Sequence, residues 1–115
     1  MRVQQSVASH RKHKKIRKNT KGMSHGNRVS VRRGKQALTR ALQYAYRDRR
    51  NRKRTFRSLW NVRINAAARL HGTTYSKLIP ALKSAKIELD RRSLAELAAR
   101  EPDAFAAVVK ASVKK

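Results

Sequence analysis

Two histidines, His10 and His13, have the three-residue spacing that places metal ligands on one face of a helix. They stand among lysines and arginines, whose charge repels a metal ion, and neither carboxylate nor thiolate is close in the sequence. The chain of 115 residues contains no cysteine at all. The sequence therefore predicts no metal site and no other cofactor.

Catalysis requires a nucleophile beside a base, or acidic groups held in position. Asp48 is the only aspartate or glutamate in the first 87 residues, and we expect it to pair with Arg52 one helical turn away. The stretch His25-Gly26-Asn27-Arg28 lacks the Gly-Lys-Ser/Thr ending of a phosphate-binding loop. The sequence predicts that the chain is not an enzyme.

The basic residues are the strongest chemical signal in the chain. Lys and Arg number 31 against six Asp and Glu, which gives a formal net charge of +25. Six of the eight residues 47–54 are basic, and because successive helical residues are about 100° apart, their charge covers every side of a helix. Such a helix can neither dock on a protein core nor lie half-buried in a membrane. The cluster predicts a polyanionic partner, and nucleic acid is the obvious one.

Folded RNA suits this pattern better than duplex DNA. A DNA-binding protein usually presents one face to one groove, whereas charge on every side fits phosphates on every side. A DNA-compacting protein is the weaker alternative, since the sequence shows neither a dimerisation surface nor an intercalating wedge.

Two tyrosines precede the basic cluster. Tyr44 and Tyr46 are about 200° apart on a helix, so they cannot both enter one small core. For at least one of them, stacking on an unpaired base or packing against a ribose is as compatible with its position as simple exposure to solvent.

Three apolar residues follow the cluster. We expect Phe56, Leu59 and Trp60 to anchor the helix in a small protein core. Phe56 and Trp60 fall on the same helical face as Ile64 and Ala67, which favours packing over base stacking for these two rings.

The elements that position these residues differ along the chain. Residues 10–21 carry seven basic side chains and only one large apolar one, Ile16, so they support no hydrophobic core and should be disordered until RNA binds. Gly22 and Gly26 are expected to break the chain. From about residue 31 to 71 helix-forming residues dominate, which predicts a single helix about 60 Å long.

The end of the chain is nearly neutral and reads as short helices. Gly72 is a predicted C-cap, while Thr74, Asp90 and Pro102 each mark a helix start. Pro80 falls inside the first of these helices and predicts a kink or a late start. The expected apolar faces comprise Leu78, Ile79, Leu82, Leu94, Leu97, Ala98, Phe105, Val108 and Val109.

These elements predict an all-α fold. A long basic N-terminal helical extension, residues 1–57, is followed by a small helical-bundle C-terminal domain, residues 58–115. The N-terminus lacks the apolar region of a secretory signal, and no apolar run approaches the roughly 20 residues that span a bilayer. A cytoplasmic protein without a membrane partner is expected.

Residues 44–98 carry a distinctive set of motifs, YAYRDRR, RKRTFRSLW, RINAAAR and YSKLI. In this combination they closely resemble the bacterial large-subunit ribosomal protein number twenty family. RKHKKIRKNTKG at 11–22 is similar to the N-terminal arm of that family, so the resemblance covers nearly the whole chain.

The resemblance implies an arm threaded through large-subunit ribosomal RNA, a small helical domain near neighbouring large-subunit proteins, and an early role in subunit assembly. The resemblance also implies that, in some bacteria, the small helical domain of the family binds a messenger RNA, by which the protein represses its own operon. Two departures from the family pattern are Met23-Ser24-His25, where relatives have aromatic residues, and Pro80.

The predicted RNA-binding residues combine the basic side chains, the two tyrosines and the positions that match family motifs. They are Arg11, Lys12, Lys14, Lys15, Arg17, Lys18, Lys21, Arg28, Arg32, Arg33, Tyr44, Tyr46, Arg47, Arg49, Arg50, Arg52, Lys53, Arg54, Arg57, Arg63, Asn65, Arg69, Ser76 and Lys77.

Overall fold

The computed structural model describes residues 6–113, and this part of the chain consists of helices without a strand. The predicted all-α fold with one long helix and shorter helices after it is confirmed. The six helices are α1 (Ser6–Asn19), α2 (His25–Val29), α3 (Val31–Leu70), α4 (Tyr75–Ser84), α5 (Arg91–Arg100) and α6 (Pro102–Val113).

Contacts along the chain define two compact units that divide within α3, between Arg50 and Asn51. The predicted boundary between residues 57 and 58 lies in the same helix. Each unit has its own internal packing.

The first unit contains a close backbone approach at Gly34, near the start of α3. A Cβ atom at this position would lie 2.9 Å from the Asn27 carbonyl oxygen and 3.1 Å from Cγ2 of Ile16. Thr20 is fully buried beside it, and its hydroxyl donates a hydrogen bond of 3.0 Å to the Ile16 carbonyl. The small residues Gly34 and Thr20 therefore allow α1 to pack closely against the start of α3. The apolar pattern of the sequence does not reveal this contact.

Of the two glycines that were expected to break the chain, only Gly22 does so. Gly22 has φ +87° and lies in the turn after α1, where a residue with a Cβ would be strained. Gly26 instead lies inside the short helix α2, so the second predicted break is wrong.

The second unit is built on a core to which four helices contribute. α3 supplies Ile64 and Ala68, and Trp60 and Ala67 pack against the core while partly exposed. The remaining buried residues come from α4 to α6 and are Leu78, Leu82, Leu94, Ala95, Phe105 and Val109. Because α4, α5 and α6 are each only 10 to 12 residues long, they cover only the last part of α3.

The helix ends follow the local chemistry of the sequence. Gly72, at φ +74°, donates its N–H to the Arg69 carbonyl, while Thr73 donates to that of Ala68. This pair of bonds is the Schellman motif that terminates helices at glycine. Pro102 occupies the first position of α6, as predicted.

The helix α4 runs from Tyr75 through Pro80 to Ser84, so the late start considered for it is wrong. Thr74 is its N-cap residue, as expected, but makes no side-chain capping bond. The N–H of Tyr75 instead donates to Oδ1 of Asn65, at 3.2 Å. The side chain of Asn65, on α3, thus caps the N-terminus of α4.

Asp90 caps α5, and its Oδ1 accepts the Ser93 N–H at 3.0 Å. Hydrogen bonds from the Ser93 side chain, and then from its backbone, hold the pKa of Asp90 below its ordinary value of 3.8. A carboxylate with a lowered pKa in the folded state stabilises that state above its ordinary pKa. This contribution disappears as the pH falls through the lowered value.

We expect Asp90→Asn to reduce the loss of stability as the pH falls below 3.8, the ordinary pKa of an aspartate, because asparagine caps helices without titrating. The measurement is the melting temperature against pH for both proteins. All other residues are the same in the two proteins, so the difference isolates Asp90. Parallel curves would contradict this assignment.

Candidate nucleic-acid interface

The central part of α3 has no covered side. Every residue from 42 to 59 is exposed, and at 3.6 residues per turn this stretch makes about five turns. The prediction that the basic cluster has no opposite, apolar face is confirmed. Such a stretch offers its whole circumference to a partner.

Basic side chains dominate this exposed stretch, and its one acidic residue is already engaged. Oδ1 of Asp48 accepts from Nε of Arg47 at 3.1 Å, with both side chains exposed. The predicted pairing of Asp48 with Arg52 is therefore wrong. The exposed basic residues are Arg47, Arg49, Arg50, Arg52, Lys53, Arg54 and Arg57.

Tyr44 and Tyr46 are both about half exposed, and neither contributes to the protein core. The guanidinium carbon of Arg47 lies 4.7 Å from the Tyr44 ring centre, and that of Arg50 lies 5.2 Å from the Tyr46 ring centre. These are cation–π distances, so each ring helps to orient one arginine. Contact of either ring with an RNA base remains a prediction.

The expected anchoring by three apolar residues is correct only for Trp60. Phe56 and Leu59 are 47% and 38% exposed and contribute nothing to the core. Trp60 packs against the core, with its ring centre 6.4 Å from that of Phe56. Helical spacing correctly aligned Trp60 with Ile64 and Ala67, but the core ends before it reaches Phe56.

The other predicted RNA-binding residues are distributed over both units. In the first unit the exposed basic residues of this set are Arg11, Lys12, Lys14, Lys15, Arg17, Lys18, Lys21, Arg28, Arg32 and Arg33. In the second unit Arg63, Arg69, Ser76 and Lys77 are also exposed.

Asn65 differs from the other predicted residues because it is half-buried. Its side-chain oxygen accepts the Tyr75 N–H, which ties the end of α3 to the start of α4. The hydroxyl of Tyr75 in turn accepts a 2.8 Å hydrogen bond from Nε of Arg91 on α5. The structure thus gives Asn65 an intramolecular partner.

A groove between α3 and α5 includes residues that the sequence did not single out for RNA binding. Its lining consists of Phe56, Leu59, Trp60, Arg63, Arg92, Ala95 and Glu96. Positions 56, 60 and 63 follow helical spacing and could be grouped from sequence. Arg92 lies opposite these residues only through tertiary packing, so no feature of the sequence predicts its position in the groove.

The chain matches the family model described as ribosomal protein L20 over residues 2–108. It belongs to this family. The ribosomal protein L20 family consists of structural proteins and not of enzymes, in agreement with the sequence-based prediction.

Curated relatives agree over most of their length. The large ribosomal subunit protein bL20 of Methylobacterium sp. (strain 4-46) is 58% identical over 108 residues, which cover 94% of this chain and 86% of the relative. The protein of the same name from Chlorobium phaeobacteroides (strain DSM 266 / SMG 266 / 2430) is 54% identical over 111 residues, 95% of each chain. Neither match is confined to the basic segment.

Between residues 6 and 113, none of the helices has an apolar stretch long enough to span a membrane.

We expect Asn65→Ala to destabilise the second unit by about 1 kcal/mol, which lowers the melting temperature by about 4–8 °C in a unit of this size. Asn65→Asp keeps the acceptor oxygen and should be close to the unsubstituted protein. The fluorescence of Trp60, which packs on this core, reports the unfolding. Unchanged melting of Asn65→Ala combined with weaker RNA binding would instead assign Asn65 to an RNA contact.

Proposed function

We propose that the chain is a structural constituent of the large ribosomal subunit that binds its ribosomal RNA directly and promotes an early step of its assembly. The proposal places the protein in the cytoplasm with the ribosome, beside neighbouring large-subunit proteins. Membership of the ribosomal protein L20 family and the names of the relatives support it.

The observation that carries direct RNA binding is the uncovered stretch of α3. Residues 42–59 are all exposed and hold seven basic residues against one acidic residue. Like charges three and four residues apart repel each other along a helix. Phosphates remove this repulsion, and each contact also releases a condensed counterion, which favours binding entropically.

Basic residues on every side of one helix favour a folded RNA as the partner. Duplex DNA offers phosphates to one side of a helix that lies in its groove. A compact RNA can place several of its helices around a single protein helix. Binding of this kind fixes the relative positions of RNA segments, which is a structural role without catalysis.

The same geometry favours an early role in assembly. A helix that is surrounded by RNA along about five turns cannot enter an RNA that has already closed. The RNA must therefore close around the protein, so the folding of the RNA is coupled to binding.

Replacing Arg47, Arg50 and Arg54 together by glutamine tests this proposal. We expect weaker binding to large-subunit ribosomal RNA and a log–log salt slope that is about 2–3 units less steep, because each phosphate contact contributes about 0.7–0.9. The measurement is the dissociation constant over a series of salt concentrations.

The matched control replaces Lys83, Arg100 and Lys110 by glutamine, which removes the same charge from exposed positions outside the basic stretch. Equal slopes for the two triple variants would mean that net charge alone governs binding. Competition between ribosomal RNA and duplex DNA at physiological salt tests the alternative of a DNA-compacting protein. That alternative predicts equal affinities for the two nucleic acids.

The second candidate function is repression of the chain's own messenger RNA. The observation that favours it is that unit 51–115 has a complete core and exposes Arg63, Arg69 and Lys77, so it has a basic surface independent of the first unit.

Arg69 lies in the last turn of α3 with its side chain exposed, so Arg69→Ala should leave the fold intact. We expect this variant to bind the leader of its own messenger RNA about tenfold more weakly, the loss of one charge-assisted contact. Lys110→Ala is the control on α6. If both variants bind the messenger leader as tightly as the unsubstituted protein, Arg69 does not contribute to a messenger-binding site.

A further inference from the structure

The groove between α3 and α5 is lined by two aromatic side chains and bordered by charged ones. Phe56 and Trp60 contribute rings whose centres are 6.4 Å apart, and Phe56 is 47% exposed although it lies beside the core. Arg63 borders the groove from α3, and Arg92 borders it from α5. The volume of about 360 Å³ is near the lower end of the range of small-molecule sites.

The other side of the same aromatic pair is also bordered by cations. A second surface depression is lined by Phe56 and Trp60 together with four basic residues, Arg52, Lys53, Arg54 and Arg57. An exposed phenylalanine ring beside guanidinium and ammonium groups is a suitable surface for RNA, in which every base has a π face and every nucleotide carries a phosphate.

Glu96 determines how a nucleotide would be oriented. Its Oε1 lies 3.8 Å from Nε of Arg92 in an exposed (i, i+4) pair. This carboxylate repels a phosphate from the α5 side of the groove, whereas it can accept a hydrogen bond from the exocyclic amino group of a base. Arg63, on the opposite wall, has no acidic partner among the residues lining the groove and is free to bind a phosphate.

We propose that this groove is a site for a single unpaired RNA nucleotide, with its base against Phe56 and Trp60 and its phosphate at Arg63. The inference rests on the proposed RNA-binding function and assigns to it a specific contact outside the all-round basic stretch. It adds Phe56 and Trp60 to the residues that recognise RNA.

Trp60 is the only tryptophan of the chain, so its emission reports on this groove in the full-length protein. We expect titration with a transcript of large-subunit ribosomal RNA to quench Trp60 emission, because a stacked base quenches an indole. Heparin, a polyanion without bases, should bind the basic residues and leave the emission nearly unchanged.

Three variants of the full chain sharpen the test. Phe56→Leu keeps an apolar side chain but loses the π face, and should weaken binding of the transcript about tenfold, the effect of losing one stacked base. Phe56→Tyr restores the ring and should restore the affinity. Val62→Leu changes another exposed apolar residue of α3 outside the groove and serves as the control. Melting curves establish that each variant is folded.

The outcomes separate this inference from the proposed function. Tight binding of the transcript, with emission unaffected and Phe56→Leu equal to Val62→Leu, would overturn the nucleotide site and leave ribosomal RNA binding intact. An emission change that requires addition of other large-subunit proteins would also overturn it, in favour of a protein occupant. Failure of the unsubstituted chain to bind the transcript would reject the proposed function itself.

Discussion

Electrostatic repulsion within α3 is the constraint on which the rest of the molecule depends. Along residues 42–59 basic side chains are neighbours at three- and four-residue spacing, and Asp48 neutralises only one of them. Every residue of this stretch is exposed, and only Phe56 and Leu59 at its end border the groove against α5, so packing offsets little of the repulsion. The helix receives support from its two ends, at the close contact of Gly34 and at the core around Ile64 and Ala68. A polyanion would neutralise the middle more fully than dissolved counterions, and the functional proposal rests on this match.

Much of the fold could be predicted because its helix boundaries are set by local chemistry. Gly72, Asp90 and Pro102 each act through bonds or dihedral angles within a few residues of their own position. The exposure of the basic cluster was equally accessible, since a helix with charge on every side has no apolar side to bury. Helix boundaries set by a single capping residue, and the exposure of a helix with charge on every side, could therefore be predicted from this sequence.

The errors arise where partners are distant or where several compete. Helical spacing aligned Phe56 with Trp60 and Ile64, but the short helices α4 to α6 decide how far along α3 the core extends. The hydrogen bond between Asn65 and Tyr75 was not predicted, because it depends on the fold of the chain between them. Asp48 has several arginines within reach, so the choice of Arg47 over Arg52 has no sequence signal.

The exposed stretch of α3 also has a consequence for a copy that has not found its RNA. Proteases that cleave after lysine or arginine would meet seven such bonds between residues 42 and 59, none of them shielded by the protein's own packing. Local opening of a helix without tertiary contacts costs little, so these bonds are available for cleavage. RNA bound around the helix, as proposed, would remove that access. Under the proposed function, the lifetime of the protein would be linked to the supply of its RNA, and unassembled copies would be open to cleavage without a dedicated recognition signal.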